Sequence, residues 1–317
     1  MRLVLDCDPG LDDALALLHL AAQPDCELSA VASVQGNVSA ELGAANALRV
    51  LELAETPGIP VAVGAARPLA QPPRTAEGVH GADGLGGHAG PAAQRHPSTV
   101  SAAEQLVTLA RAQPGQLTVL ATGPLTNLAL ATLIEPQLPR LLARVVVAGG
   151  VLSGPGSATP AADVNTAGDP EAADIVYAAG YHLTMVGLDT VGACEPDAAW
   201  LDAVAAVPTR AAQFAASLLE HYLRAWAGAS PRAVLHAPLA AAVALDADLA
   251  SGTERAVQVE LRGTHTRGRT LSDCRSYTAG STLDSRLPVA VTTHVDGATV
   301  LDRLLASLQT TSVRVTE

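Results

Sequence analysis

Residues 5–18 read "LDCDPGLDDALALL", and four carboxylates, Asp6, Asp8, Asp12 and Asp13, fall within eight of those positions. The run "RLVLD" (2–6) reads as a buried strand, and "DDALALLHLAAQ" (12–23) reads as a helix. Pro9 and Gly10 signal a turn, so the chain leaves the strand and opens the helix near Asp12. An aspartate in a first helical turn is ordinary because it meets the positive end of the helix dipole. That accounts for Asp12 or Asp13 taken singly. It does not account for four together. Two carboxylates ~4 Å apart repel by ~4 kcal/mol at an effective dielectric of ~20, so this cluster needs protons or a cation. Oxygen donors of this kind suit a hard ion such as Ca²⁺ or Mg²⁺. Adjacent helical residues point in different directions, which lets one of Asp12 and Asp13 grip a ligand while the other serves the ion.

The strand–helix alternation continues outward. Further strands are expected at 28–36, 59–65, 117–123, 144–150 and 182–189, with helices at 40–54, 98–112, 125–134, 170–179, 197–206 and 208–226. Val- and Leu-rich strands without polar alternation, separated by helices, predict an α/β fold. The expected form is an open, mostly parallel, Rossmann-like sheet with helices on both faces. Residues 256–274 read as an antiparallel pair or extended arm, a short antiparallel extension near the C-terminus, followed by "PVAVTTHV" (288–295) and a closing helix near 297–308. Residues 68–97 form a long Pro- and Gly-rich loop, a length that is usually functional inside a compact unit. No shift in composition marks a boundary, so one domain is expected over 1–317. Ligands of open parallel sheets bind beyond the carboxyl ends of the strands. Asp8, Asn37, Thr122, Asp163 and Asn165 all follow such ends.

The 317 residues are 49% hydrophobic but only 2% aromatic, so Ala, Val and Leu must build the core. A formal charge of −12 argues against nucleic acid or an anionic membrane as partner. All 19 basic residues are Arg, which excludes Schiff-base, pyridoxal phosphate and P-loop chemistry. Cys7, Cys26, Cys194 and Cys274 have no zinc-like spacing and read as reduced thiols. Asp6 interrupts the first apolar run too early for a signal peptide, and no apolar stretch is long enough to span a membrane. A cytoplasmic protein is expected.

The stretch "DCDPGLDDALAL" (6–17) resembles the D-x-D-P-G-x-D-D signature of the inosine–uridine-preferring nucleoside hydrolases. "SVQGN" (33–37), "VHGADGLGG" (79–87), "LATGPLTNLA" (120–129), "VVVAGG" (145–150), "DVNTAGDPEAA" (163–173), "TMVGLD" (184–189) and "AVLHAP" (233–238) match that family in order, so the resemblance covers nearly the whole chain. It implies cleavage of the N-glycosidic bond of ribonucleosides or close ribosides to ribose and free base, through an oxocarbenium-like sugar. It also implies a Ca²⁺ ion, a role in purine or pyrimidine salvage, and a homodimer or homotetramer.

By that resemblance Asp8 is the general base and a metal ligand, Asp13 a metal ligand and the Thr122 carbonyl a further one. Asp12, Asn37 and Asn165 hold ribose hydroxyls, and Asp6 is an acceptor that holds the loop. His236 is the candidate acid for the leaving base, against a reading as an ordinary helix histidine. His80 is placed near the substrate or, equally, stabilises its loop. Tyr222 and Trp226, four residues apart on a helix, are a base-stacking pair or part of the core.

Three positions depart from the family pattern. Asp163 stands where Glu is typical for the ribose 5′-hydroxyl, and Ser157 stands where Asn contacts ribose. Ala237 stands where a metal-ligating Asp is expected, so the site loses an oxygen and a charge. The ion is therefore expected to be weakly held, of another kind, or bound only together with a substrate that supplies its diol. Asp246 is ~13 Å further along the expected helix and cannot substitute. Ala237 also motivates the alternative reading, a catalytically weak relative that binds ribose or a nucleoside. A "DCD" after a strand fits haloacid-dehalogenase phosphatases too, but that chemistry expects a Lys, and the chain has none.

Overall fold

The protein is described by a computed structural model over residues 1–226, 234–273, 275 and 286–310. Its main sheet contains β1 (Arg2–Cys7), β2 (Glu27–Ser33), β3 (Val61–Val63), β4 (Leu117–Ala121), β5 (Leu142–Ala148), β6 (Leu183–Val186) and β7 (Ala250–Arg255). Two short strands, β8 (Gln258–Val259) and β9 (Thr270–Leu271), pair antiparallel by themselves, and β10 (Val289–Val295) returns to the main sheet. The helices are α1 (Leu11–Ala21), α2 (Ala40–Leu53), α3 (Glu77–His80), α4 (Ala102–Ala112), α5 (Thr126–Ile134), α6 (Leu138–Leu141) and α7 (Val164–Gly168). They continue as α8 (Pro170–Ala178), α9 (Leu188–Val191), α10 (Ala198–Ala206), α11 (Arg210–Trp226), α12 (His236–Leu245) and α13 (Gly297–Gln309).

In β1, Leu3, Leu5 and Cys7 enter one apolar core and Val4 enters the other. β5 repeats the arrangement, with Val146 and Ala148 in the first core and Val145 and Val147 in the second. A strand buried on both faces has no polar side, which is why these runs lack alternation. α1, α2 and α10 to α13 close the first core, while α4, α5 and α8 close the second. Helix α12 is apolar all round and buried along most of its length, as befits a helix enclosed by others.

The strand order is β3-β2-β1-β4-β5-β6-β10-β7, parallel throughout except for β7 against β10. From β1 the order runs outward through β2 and β3 on one side and through β4 to β6 on the other. The crossovers change direction between β1 and β4, and a crevice opens at such a switch point. Both strand ends there carry the polar residues singled out above.

Several details differ from the sequence expectations. The antiparallel edge of the main sheet is β7, whose "ASGTER" faces mostly solvent and has no apolar pattern to announce it. Residues 256–274 do hold an antiparallel pair, β8–β9, and it stands apart from the main sheet. Helix α4 starts at Ala102, not 98. Ser101 caps it by accepting from the Glu104 N–H, while the Ser98 N–H donates to the Val61 carbonyl as extended chain. Asp246 lies just past the end of α12 and pairs with Arg303 at 2.8 Å. Among the described residues no helix is long and apolar enough to cross a membrane. Cys7, Cys26 and Cys194 are thiols not joined in disulfides, and Cys274 lies outside the described residues.

The 68–97 loop is braced within itself and tied near its start to the chain at 167–168. Asp83 accepts the N–H groups of Leu85, Gly87 and Ala89, and Gln71 donates to the carbonyls of Ala167 and Gly168.

Between α1 and α13, buried His19 lies 2.8 Å from the Ser307 hydroxyl, and burial, aided by nearby Arg303, pushes its pKa down to about 4. The unfolded chain therefore binds this proton more readily than the native one. Stability is full above the unfolded pKa near 6.5 and falls as pH drops from there towards 4, by up to ~3 kcal/mol. We expect His19→Gln to flatten that acid limb in melting temperatures measured from pH 7 to 4. An unchanged slope would assign the limb to other groups.

Candidate active site

The end of β1 passes through Asp8 into the Pro9–Gly10 turn and the first turn of α1. No side chain fits at Gly10, because a Cβ there would lie 2.4 Å from His80 Nδ1. Gly36 is similarly obliged, because its Cβ would meet Asp8 Oδ2 at 2.0 Å. That bare backbone lets Asp8 Oδ2 accept the Asn37 N–H at 2.7 Å. Asp8 Oδ1 is buried and has no hydrogen-bond partner among the described residues. Asp13 accepts from the Thr122 hydroxyl at 2.6 Å, the Asn37 side-chain amide at 3.2 Å and the Gly10 N–H at 3.3 Å.

Asp8 and Asp13 are each 2% exposed. Burial, and then the like charge of Asp13, holds the Asp8 carboxyl well above its usual range. Burial and the charge of Asp12 push Asp13 up to about 7. Two desolvated, mutually repelling carboxylates, an orphaned oxygen and the neighbouring Thr122 carbonyl fit a hard divalent cation, which would relieve both penalties. Ala237 lies in the same cavity wall, 2% exposed, and brings no oxygen from its side chain. Accordingly, among the described residues no group of three or more His, Cys, Asp or Glu side chains converges for a metal.

Asp6 takes no part in the cavity. It accepts from Asn127 Nδ2 at 2.7 Å, and Asn127 also donates to the Ser33 carbonyl and accepts the Ala65 N–H. The pair thus ties β1, β2 and the chain beyond β3 together, rather than holding the loop after β1. Burial pushes the Asp6 carboxyl up to about 7.

The remaining walls of the roughly 560 Å³ cavity offer acceptors. Asn165 spends both amide hydrogens on the carbonyls of Thr122 and Ala148, at 2.7 and 2.8 Å, which leaves Oδ1 to accept. Asp163 Oδ1 caps α7 through the N–H groups of Asn165 and Thr166, while its buried Oδ2 has no partner among the described residues. Asp12 accepts the Ala237 N–H at 3.3 Å. Asn37, expected on the ligand, lines the cavity and donates from its side-chain amide to Asp13, a bond that uses one of its two amide hydrogens. Ser157 lines it as well, with its hydroxyl accepting the Val164 N–H. A ligand satisfying such walls must supply hydrogen-bond donors, positive charge, or both.

Val79, Leu188, Val191 and Val234 add apolar lining to the cavity. Beside the Gly10 turn, His80 Nδ1 accepts the Leu11 N–H at 3.1 Å, so the neutral ring carries its proton on Nε2. Burial lowers the His80 pKa against the opposing pull of Asp12. Its ring stacks on Tyr222, with centroids 6.3 Å apart. His80 therefore both accepts from the first turn of α1 and lines the cavity. His236 Nε2 lies 2.7 Å from the Val186 carbonyl and must donate to it, which leaves Nδ1 available. Trp226 ends α11, and its side chain lies outside the described residues.

The sequence reading missed Asn127, whose only signal was its place in "GPLTN". It also missed the Thr122 hydroxyl, having considered that residue's carbonyl alone.

Residues 3–302 match the family described as inosine-uridine preferring nucleoside hydrolase. The chain is 37% identical over 278 residues to a pyrimidine-specific ribonucleoside hydrolase, RihA, of Salmonella arizonae, covering 86% of this chain and 88% of that one. A solved plant nucleoside hydrolase, PpNRh1, superposes with a TM-score of 0.93 at 30% identity, over 97% of this chain and 98% of its own. A purine-preferring ribonucleoside hydrolase from Gardnerella vaginalis superposes with a TM-score of 0.90 at 28% identity, over 98% of each chain.

Proposed function

The chain belongs to the inosine-uridine preferring nucleoside hydrolase family, hydrolysing ribonucleosides to ribose and free base, and we propose that the cavity at the β1–β4 crevice is where it does so. The observation that carries this reading is the acceptor-rich wall. On that wall an orphaned oxygen of Asp163 and Asn165 Oδ1 await a polyhydroxyl ligand, beside a cluster in which Asp13 lines the cavity and the buried, orphaned oxygen of Asp8 suits a cation. A ribose supplies the donors, and the apolar part of the lining takes the base.

Asp8, Asp13 and the Thr122 carbonyl would hold the metal, and the all-oxygen donor set favours Ca²⁺. When bound, such an ion supplies a Lewis acid that grips a vicinal diol and makes water more acidic. The chain's own residues do the rest. Asp8 accepts a proton from water as its oxygen bonds to the anomeric carbon, and the glycosidic electron pair leaves with the base. Asp12, Asp163 and Asn165 orient the sugar hydroxyls, and the surrounding carboxylates stabilise positive charge developing on the ring. Asn37 fixes Asp8 and Asp13. His80 Nε2–H donates at the base end, and His236 can pass a proton to the leaving base from Nδ1 when its ring is cationic. Tyr222 flanks the base.

The same proposal takes the chain as one domain, cytoplasmic and self-associating as a homodimer or homotetramer. The cysteine thiols support the location, and exposed Leu133 and Ile134 on α5 support self-association. A second reading, binding without useful turnover, is favoured by Ala237 alone.

Ribose release from inosine, uridine, cytidine, adenosine and a p-nitrophenyl riboside, with Ca²⁺ and after chelation, separates the readings. We expect turnover that chelation abolishes. Ribose binding by folded, Ca²⁺-supplied protein with no release from any substrate would support the second reading.

A further inference from the structure

We propose that Asp189 is a positioning residue for the sugar end of the cavity, acting through residues 151–162; the proposal rests on the hydrolase reading of that cavity. Asp189 sits in the first turn of α9, where a carboxylate commonly serves the N–H groups of its own helix. This one serves another segment. Its Oδ2 accepts the Leu152 N–H at 2.8 Å, and its Oδ1 accepts the N–H groups of Ser153 and Gly154 at 2.8 and 3.2 Å. Three consecutive amides converging on one anion make a fixed, charge-assisted anchor.

The same segment is held from the other side. Arg269, next to β9, donates to the carbonyls of Leu152 and Ala161 at 3.0 and 3.1 Å. The Thr270 hydroxyl donates to the Val151 carbonyl and accepts the Val151 N–H, both at 2.8 Å. A carboxylate thus takes the segment's donors while a guanidinium takes its acceptors.

Beyond this clamp the chain folds into a tight turn, with the N–H groups of Ser157, Ala158 and Thr159 all directed at the Ala162 carbonyl. Gly156 has no room for a side chain, since a Cβ would lie 2.2 Å from that oxygen. The turn is internally fixed, so displacement of the segment has to occur at 152–155, where Asp189 binds. Gly154, Pro155, Ser157 and Ala158 line the cavity, whereas Asp189, Arg269 and Thr270 do not. The Ser157 hydroxyl accepts the Val164 N–H, which joins the turn to Asp163 and Asn165. Releasing Asp189 therefore loosens a wall of the ligand site without removing any group from it.

The test uses the full chain, Asp189→Ala and Asp189→Asn. Amide hydrogen exchange at Leu152, Ser153 and Gly154 is expected to quicken about tenfold in Asp189→Ala. For the nucleoside the parent turns over best, KM is expected to rise about tenfold while kcat stays within about threefold, the pattern of lost uniform binding. The melting temperature should hardly move. Asp189→Asn should fall between, because its one carbonyl oxygen can still hold Ser153 and Gly154. Unchanged exchange, or faster exchange with unchanged KM, overturns the proposal, as does a loss in kcat accompanied by a collapse in melting temperature. A parent that releases no ribose sinks the hydrolase reading and the positioning role with it, while the exchange data separately report the clamp.

Discussion

Asp8→Asn is expected to cut kcat for ribose release by about 10²- to 10⁴-fold, the range for removing a general base, and at the same time to make the chelated protein harder to melt. The two effects share one cause. Asn is isosteric, and its carbonyl oxygen can go on accepting the Asn37 N–H that Asp8 Oδ2 accepts at 2.7 Å. What it cannot do is take a proton from water. It also removes one of two buried, repelling carboxylates. Asp8 titrates above its ordinary range in the folded chain because burial and Asp13 disfavour its charge. A carboxyl whose native pKa is raised opposes folding at pH values above its unfolded pKa, so deleting it stabilises the cation-free protein. A variant that is inactive because it misfolds would lose melting temperature instead. Paired measurement of kcat and of melting temperature in chelator at pH 8 checks both halves. A kcat within tenfold of the parent would remove Asp8 from the role of base. Lost activity with a lowered melting temperature would indicate that its oxygens are structural supports.

The parallel sheet was readable because burial on both faces leaves unbroken Val and Leu runs such as "RVVV", and because helices intervene at regular intervals. The ends of β1 and β4 could be named as the site because polar residues there have no place in either core. β7 escaped notice for the opposite reason: an exposed edge strand needs no apolar face, and "ASGTER" has none. Contacts between polar groups far apart in the chain leave no period at all. Nothing in the sequence says that His80 will cap α1 at Leu11, that Asn127 will link Asp6 to Ser33, or that Asp189 will leave its own helix for Leu152. Such partners become visible only once the strands have brought the segments together.

Ala237→Asp is expected to tighten Ca²⁺ binding by about ten- to hundredfold, since affinity in oxygen-ligand sites rises with the number of charged ligands. Position 237 is the second residue of α12 and lines the cavity, with its N–H on Asp12. A carboxylate there joins Asp8 and Asp13, whose charges are already disfavoured by burial and by one another. The variant should therefore melt below the parent in chelator and above it in excess Ca²⁺. That crossing is a sharper signature than either shift alone, because a packing fault would lower both melting temperatures. Calorimetric titration of chelated protein supplies the dissociation constants. A tightened site with unchanged turnover would mean that the parent's ion, though weakly held, is fully engaged when substrate is present. An unmoved dissociation constant would place position 237 away from the ion. The parent's two carboxylates and one carbonyl would then have to gather their remaining oxygens from elsewhere.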